Sequence, residues 1–413
     1  MTAIVFEDEQ WRWFATLVQA RPLYELRCGA LTVRERAEQL LGEPVLGIAR
    51  EHLLGHFNPG GLAALLADSA PVLLINGRAL QLDWLPELQT AAPGTLLITQ
   101  DGDLLAARLT PALASAVLYY LREQRAAEAR DELLRFCRVR EVDAPPGMLL
   151  RYPWDLIGFA GAQLLHDEPL LRRRLPLLQT TDPLITVRGD RVYADPRVRL
   201  DGPLVLDSRD GPIFLEAAHV EPFSLIQGPA YIGPGTLVSS ARIRPETSLG
   251  PVCRVGGELE AVTIQGFSNK HHDGFLGHSW LGEWVNIGAM TTNSDLKNNY
   301  GDVRVLLEGI GQRDSGLLKL GCFLADHVKL GIGLHLNGGT MIGTGSNLFG
   351  MHTVPKNVPH FTWGGEVFRE YRIDTMISVA RTVMGRRKLT MTAGYEQVLR
   401  RAFVLTQPGR DGM

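Results

Sequence analysis

Between residues 318 and 348 an aliphatic side chain returns at every sixth position: Leu318, Leu324, Leu330, Leu336, Ile342 and Leu348. A period of six fits neither the 3.6 of a helix nor the 2 of an ordinary strand, but it fits a solenoid of flat six-residue faces. Three faces close a triangular coil of roughly 18 residues. Leu318 is then expected under Leu336, Leu324 under Ile342 and Leu330 under Leu348, an apolar column for each corner. Glycine follows two of these positions, Gly331 and Gly343, where a tight corner favours a backbone without a Cβ. The interval recurs upstream in Val192 and Val198, in Ile226, Ile232 and Val238, in Leu249 and Val255, and in Phe275, Leu281 and Ile287. Its register slips between these groups, which predicts loops leaving the coil, roughly at 265–274 and 289–316. Residues 181–360 are therefore read as a parallel β-helix of hexapeptide repeats.

The flanks have different patterns. Residues 1–180 alternate short aliphatic strands (Ala3 to Phe6, Val45 to Ala49, Val72 to Ile75, Leu96 to Thr99) with stretches of helical spacing at Thr32 to Leu41 and Gly60 to Leu66. Pro111 opens a further helix where its missing N–H does no harm, Glu128 to Arg138 reads as another, and Tyr152 to Ile157 begins one more. Such alternation predicts an α/β layer domain. Arg172 to Asp182, basic and ending in Thr-Thr-Asp-Pro, reads as a linker. Residues 361–413 return to helix at Arg369 to Met384 and Ala393 to Leu405, and are expected to cap the exposed strand edges of the last coil.

A formal charge of −3 gives no field that would draw in nucleic acid or an anionic membrane. No run approaches the length of a membrane span, and Met1 to Phe6 enters a strand directly without a leader pattern. Cys28, Cys137, Cys253 and Cys322 form no pair with metal-site spacing and read as reduced thiols of a cytoplasmic protein.

The densest polar cluster is Ser268-Asn-Lys-His-His-Asp-Gly274, followed by Phe275-Leu-Gly-His-Ser-Trp-Leu-Gly-Glu-Trp-Val-Asn-Ile-Gly288. Acyl transfer from a thioester to an amine needs a base for the amine proton, and neutral imidazole suits that task near pH 7. His272 is the first candidate and His271 its rival, since adjacent side chains of a loop point different ways. Two adjacent histidines rarely bind one metal ion without a third ligand.

From His272 through Phe275-Leu-Gly277 to Val285-Asn-Ile-Gly-Ala289, the chain resembles the acyltransferase half of the bifunctional bacterial enzymes that acetylate glucosamine 1-phosphate and then uridylylate it. Over its whole length it resembles sugar nucleotidyltransferases of the same two-domain layout. The resemblance implies a nucleotidyltransferase-like α/β domain followed by a left-handed β-helix, trimeric association, and an acyl-CoA lying in a groove between neighbouring prisms. It also implies His272 as general base, Arg244, Asn286, Asn293 and Lys297 as contacts to a sugar phosphate or nucleotide sugar, and Ala289 as an acyl-CoA contact. Asn269, Lys270 and His271 are read as further substrate contacts on the polar loop, and Arg386-Arg-Lys388 as either a contact to CoA phosphates or a solvated charge run. Phe275 stands where the family has Tyr, and Glu260 where it has Lys near the phosphate.

For the N-terminal domain the same resemblance implies Mg²⁺ and a nucleoside triphosphate. No glycine-rich phosphate loop follows Phe6, however, and Asn76 stands where an Asp would hold Mg²⁺, with Asp101 or Asp103 as possible substitutes. Arg21, Arg27 and Arg34 near a helix start, with Asn76 and Arg78, are the nucleotide-binding candidates. The expectation is a nucleotidyltransferase-like fold of divergent or absent activity, and acyl transfer by the β-helix. The alternatives are nucleotidyl transfer with the β-helix as a trimer scaffold, and a non-catalytic scaffold.

Overall fold

The computed structural model describes residues 2–58, 70–350 and 352–411. The helical stretch expected at Gly60 to Leu66 lies outside them. The N-terminal strands form a six-stranded sheet in the order Leu46–Ile48, Thr2–Phe6, Val72–Asn76, Leu104–Leu109, Thr95–Thr99, Arg138–Val142. The first three run parallel, Leu104–Leu109 is antiparallel to both neighbours, and the last two run parallel to each other. Helix Val33–Leu41 starts at Thr32 because its hydroxyl accepts from the Glu35 amide while the Glu35 carboxylate accepts from the Thr32 amide. Helix Pro111–Arg122 begins under a Thr110 cap. Glu128 to Arg138 is realised as helix Ala126–Phe136, with Arg138 already in the edge strand.

The rest is a parallel left-handed β-solenoid of about 10 turns. One face is a nine-stranded ladder from Val192–Ala194 to Asn357–Val358. On its inner side Leu281, Leu324 and Ile342 stack in register, and on a second face Ile287, Leu330 and Leu348 do the same. Two of the three expected pairs are therefore present. Leu318 is not under Leu336: it is 45% exposed at the end of an excursion, and Leu336 stacks on Asn293. The glycines also divide the work differently from the expectation. Left-handed corners fall at Gly333, Gly339 and Gly345, whereas a Cβ on Gly343 would stand 2.5 Å from the His360 backbone nitrogen of the next coil.

The first expected loop does not leave the solenoid, because Thr263–Gly266 and Asn269–Lys270 are coil strands. The second is shorter than expected. Thr292–Asn293 remains in the coil, and the excursion is a hairpin of Arg304–Leu307 with Gly311–Asp314 whose base is closed by a Leu296–Lys319 bridge. The stretch expected as a linker is stitched to the first coil: Leu177 bridges Tyr193 and the Leu178 amide donates to Val192.

On the nine-stranded face the outward column is buried too. Tyr193, Phe214, Tyr231, Ser248, Thr263, Trp280, Phe323 and Met341 follow one another in register, and the α/β domain lies over them. Trp280 Nε1 donates to the Arg27 carbonyl at 3.1 Å and Ser248 Oγ to the Gly29 carbonyl at 2.7 Å. A buried ion triad ties the same seam: Arg21 donates to Asp326 at 2.8 and 2.9 Å and lies 3.1 Å from Glu283. The last coil is capped by strand Phe368–Glu370, antiparallel to Thr362–Gly364, after which helix Ile373–Arg386 runs back along the second face until Arg387 bonds Asn269 at 2.6 Å. Helix Ala393–Leu405 packs against Glu51–Phe57 of the α/β domain. No helix among the described residues is long and apolar enough to cross a membrane.

All four cysteines are free, and burial pushes the thiols of Cys28, Cys253 and Cys322 up, to about 12, 11 and 11. Thiolate is the reactive form. Ellman's reagent is thus expected to react with the half-buried Cys137 alone in the native protein and with all four after unfolding. Fast native labelling of a second thiol would contradict the packing of this seam.

Candidate active site

The coil that carries the polar cluster sets its geometry. Asn269 pairs with Arg254 below and Asn286 above, so these three side chains project outward from one face of the prism. Asn269 Nδ2 donates to Asn286 Oδ1 at 3.3 Å, while its Oδ1 accepts from Arg387. The chain then turns through His271 to Gly274 into the strand Phe275–Gly277. His272 is exposed and His271 half-buried, with the rings edge to face at 5.2 Å. His271 Nδ1 is buried without a partner among the described residues, and burial followed by repulsion from His272 lowers its pKa, which keeps the ring neutral.

Lys270 departs from the expectation. In register with Val255, it occupies the inward column between Val255 and Ile287, and is 1% exposed. It does not line the cleft beside it. Its Nζ donates to the carbonyls of His272 and, at 3.4 Å, Gly256. Gly257 makes the room, since a Cβ there would lie 3.2 Å from Nζ. Burial depresses this amine to about 8, partly offset by Asp273.

A cavity of about 540 Å³ opens on this face. His271, His272, Asn269, Asn286 and Ala289 all line it, together with Arg254, Leu237, Ile332, Arg386 and Arg387. An adjoining cavity of about 280 Å³ shares Asn269, Asn286, Arg386 and Arg387 and continues under the C-terminal helix to Trp284 and Lys329. Lys329 Nζ donates to the Trp284 carbonyl, and burial brings it down to about 7. Five of the expected site residues thus share one cleft with a basic rim. Arg254 had been missed; projecting the coil register one turn below Asn269 would have found it.

Three others lie elsewhere. Asn293 is buried, with Oδ1 accepting from the Gly277 amide at 2.8 Å and Nδ2 donating to its carbonyl at 2.9 Å, so it clamps a strand. Lys297 donates to the Asp302 carbonyl at 2.7 Å inside the excursion. Arg244 lies on another corner of the prism, 3.4 Å from both Glu258 and Glu260. Lys319 reaches the same Glu260 at 3.1 Å, so a lysine does stand by the spot where the sequence lacks one.

The nucleotide-binding candidates of the N-terminal domain are bound into its framework. Arg21 belongs to the ion triad at the domain seam. Arg27 is held by Gln265, the Ala30 carbonyl and Glu35, and Arg34 pairs with Glu25 at 2.6 Å. Asn76 is fully buried, donating to Asp8 and the Leu104 carbonyl and accepting from the Arg78 amide. Arg78 joins Asp8 at 2.7 Å to Asp103 at 2.9 Å, and Asp101 pairs with Arg151. A guanidinium therefore stands where Mg²⁺ would need its carboxylates, and the residues present do not fit the ion. Among the described residues no group of three or more His, Cys, Asp or Glu is arranged to hold a metal. Where phosphate-cradling amides would follow the first strand, Glu7 and Asp8 present carboxylates engaged by Arg50 and Arg78.

Residues 3–175 match the family model described as sugar nucleotidyl transferase. That stretch is similar to the sugar nucleotidyl transferases. The Bifunctional protein GlmU of Acidithiobacillus ferrooxidans is 31% identical over 184 residues, 43% of this chain and 35% of that protein. A bifunctional sugar-1-phosphate nucleotidylyltransferase/acetyltransferase of Sulfurisphaera tokodaii is 31% identical over 130 residues, 31% of each chain. The chain thus spans about a third of the length of these curated relatives. A solved UDP-N-acetylglucosamine acyltransferase of Francisella novicida superposes with a TM-score of 0.30 at 10% identity, over 50% of this chain and 73% of that one. The sequence matches bear out the resemblance read from the chain.

Proposed function

We propose that this protein transfers an acyl group from acyl-CoA, such as acetyl-CoA, to the amine of an amino-sugar phosphate or nucleotide sugar, with His272 as the general base. The observation that carries this reading is the convergence of His271, His272, Asn269, Asn286 and Ala289 on one cleft rimmed by Arg254, Arg386 and Arg387. The arginines suit the phosphates of CoA, while Leu237 and Ile332 offer apolar wall to its pantetheine arm. The amine attacks the thioester carbonyl, the imidazole takes the amine proton, and the proton passes to the departing thiolate. On this reading the protein works in the cytoplasm as a homotrimer, with neighbouring prisms closing the cleft, and binds neither nucleic acid nor membrane.

The test is release of free CoA thiol from acetyl-CoA over a panel of amino-sugar phosphates and their nucleotide-linked forms. Acceptor-dependent release is expected, falling about 100-fold or more in His272→Ala, in line with the loss of a general base. A nucleotidyltransferase with the solenoid as scaffold would instead form pyrophosphate from a nucleoside triphosphate and a sugar 1-phosphate, with no thiol released. The Arg78 bridge between Asp8 and Asp103 weighs against that alternative.

A further inference from the structure

The inner cavity under helix Ile373–Arg386 carries a feature that the reading above does not use. Asn269, Asn286 and Lys329 follow one another outward on the second face, so Lys329 stands one coil, or about 5 Å, beyond Asn286. Asn286 lines both cavities, and Lys329 lines only the inner one. Much of the remaining wall is apolar: Phe267 stacked on Trp284 at 4.6 Å, then Val285, with Val379 and Val383 from the helix. At about 280 Å³ the space has room well beyond an acetyl group.

The charges here are one-sided. No aspartate or glutamate lines either cavity, and among the described residues Lys329, Arg254, Arg386 and Arg387 pair with no carboxylate. Elsewhere on the same prism arginines are taken, Arg197 by Asp195, Arg209 by Asp207 and Arg242 by Glu258. Lys329 is half-buried and gives one bond to the Trp284 carbonyl, which leaves two N–H donors of its ammonium unused. Burial with no anion nearby is what depresses this amine, and a ligand carboxylate would supply the missing partner. The arginine rim suits phosphate. A single ammonium beside apolar wall matches a carboxylate carried on a short methylene chain.

We propose that the inner cavity receives the acyl group of the thioester and selects one whose far end is a carboxylate, the CoA monothioester of a short dicarboxylic acid, with Lys329 setting that specificity. The inference rests on the acyl-transfer reading and narrows its substrate class. A four-carbon acyl group reaches about 5 Å from its carbonyl carbon, which matches the step from Asn286 to Lys329. The acceptor amine bonds to the thioester carbonyl carbon, the C–S bond breaks, and the amine proton passes through His272 to the thiolate. The product amide keeps its free carboxylate, so the acceptor acquires an anionic group where acetylation would add a neutral one.

The experiment compares acceptor-dependent thiol release from succinyl-CoA and from butyryl-CoA, of equal chain length and no acyl charge, in wild type, Lys329→Met and Val383→Phe. Wild type should prefer succinyl-CoA by about 100-fold in kcat/KM, the effect of a charge-assisted hydrogen bond. Lys329→Met should remove that preference. Val383→Phe, which narrows the cavity, should lower kcat/KM for both four-carbon thioesters relative to acetyl-CoA and keep the preference between them. A second arm needs no turnover: acetic anhydride labelling of lysines, read by peptide mass spectrometry, with succinate, butyrate or CoA present. Succinate should protect Lys329 several-fold, butyrate should not, and the exposed Lys356 should label equally throughout. Equal rates with succinyl- and butyryl-CoA, or a preference that survives in Lys329→Met, would overturn this inference and leave the acyl-transfer reading standing. Protection of Lys329 by CoA and not by succinate would give the cavity to a phosphate and overturn it as well. If wild type released no thiol from any thioester, the acyl-transfer reading would fail and the acyl assignment with it, while protection by succinate would separately establish the carboxylate site at Lys329.

Discussion

Asp326→Ala is expected to destabilise the protein by about 3–5 kcal/mol, because it strands a buried guanidinium. Asp326 is fully buried, accepts both Arg21 donors and also takes the Glu283 amide at 2.6 Å. Without it, Arg21 at 3% exposure keeps Glu283 as its remaining carboxylate among the described residues. Burial works against the charges of Arg21 and Asp326, and each is held by the other. The uncharged double variant Arg21→Met with Asp326→Leu is expected to recover much of the loss, since buried pairs seldom outperform well-packed apolar replacements. Urea denaturation followed by tryptophan fluorescence, with limited proteolysis to detect separation of the domains, measures both. An Asp326→Ala protein as stable as wild type would mean that the triad does not hold the seam.

Lys270→Met separates stability from activity. A thioether of similar length fits the inward column between Val255 and Ile287, so the variant should fold and be no less stable at neutral pH. Its turn loses the ties from Nζ to the His272 and Gly256 carbonyls, and acyl transfer should fall by about tenfold, mainly in kcat, as expected when a reacting group is left loosely placed. Wild type and variant should also differ in pH dependence. The unfolded lysine holds its proton to about 10.5 and the folded one releases it near 8. Between those values the unfolded state binds more protons, so wild-type stability should climb with pH from about 8 to 10.5, while the variant lacks this rise. Lys329 titrates lower, near 7, and contributes equally to both proteins. Urea midpoints at pH 8 and 10 decide the matter, and identical slopes would refute the buried ammonium.

The inward columns at Leu324 with Ile342 and Leu330 with Leu348 were legible because one requirement, an aliphatic residue facing the axis, repeats at fixed spacing. Lys270 was not, because its charge marks it as a surface residue and hides its place in the column. The cleft was legible as far as it is local: Asn269, His271, His272, Asn286 and Ala289 lie within 21 residues of sequence and one turn of the solenoid. The pairing of the arginines was hidden for the converse reason. A sequence displays a charge without its partner, and Asp326 lies 305 residues from Arg21.

The outward column of Tyr193, Phe214, Tyr231, Trp280, Phe323 and Met341 has a consequence for how this gene can be dissected or inherited. A chain trimmed to residues 181–413 would display that whole apolar wall to water, and patches of this kind recruit other chains. Expressed alone, the solenoid should aggregate unless a detergent or the missing domain is supplied. The α/β domain is therefore a part the chain cannot shed without exposing this wall, whatever its own residues bind. Selection on solubility alone is enough to retain it.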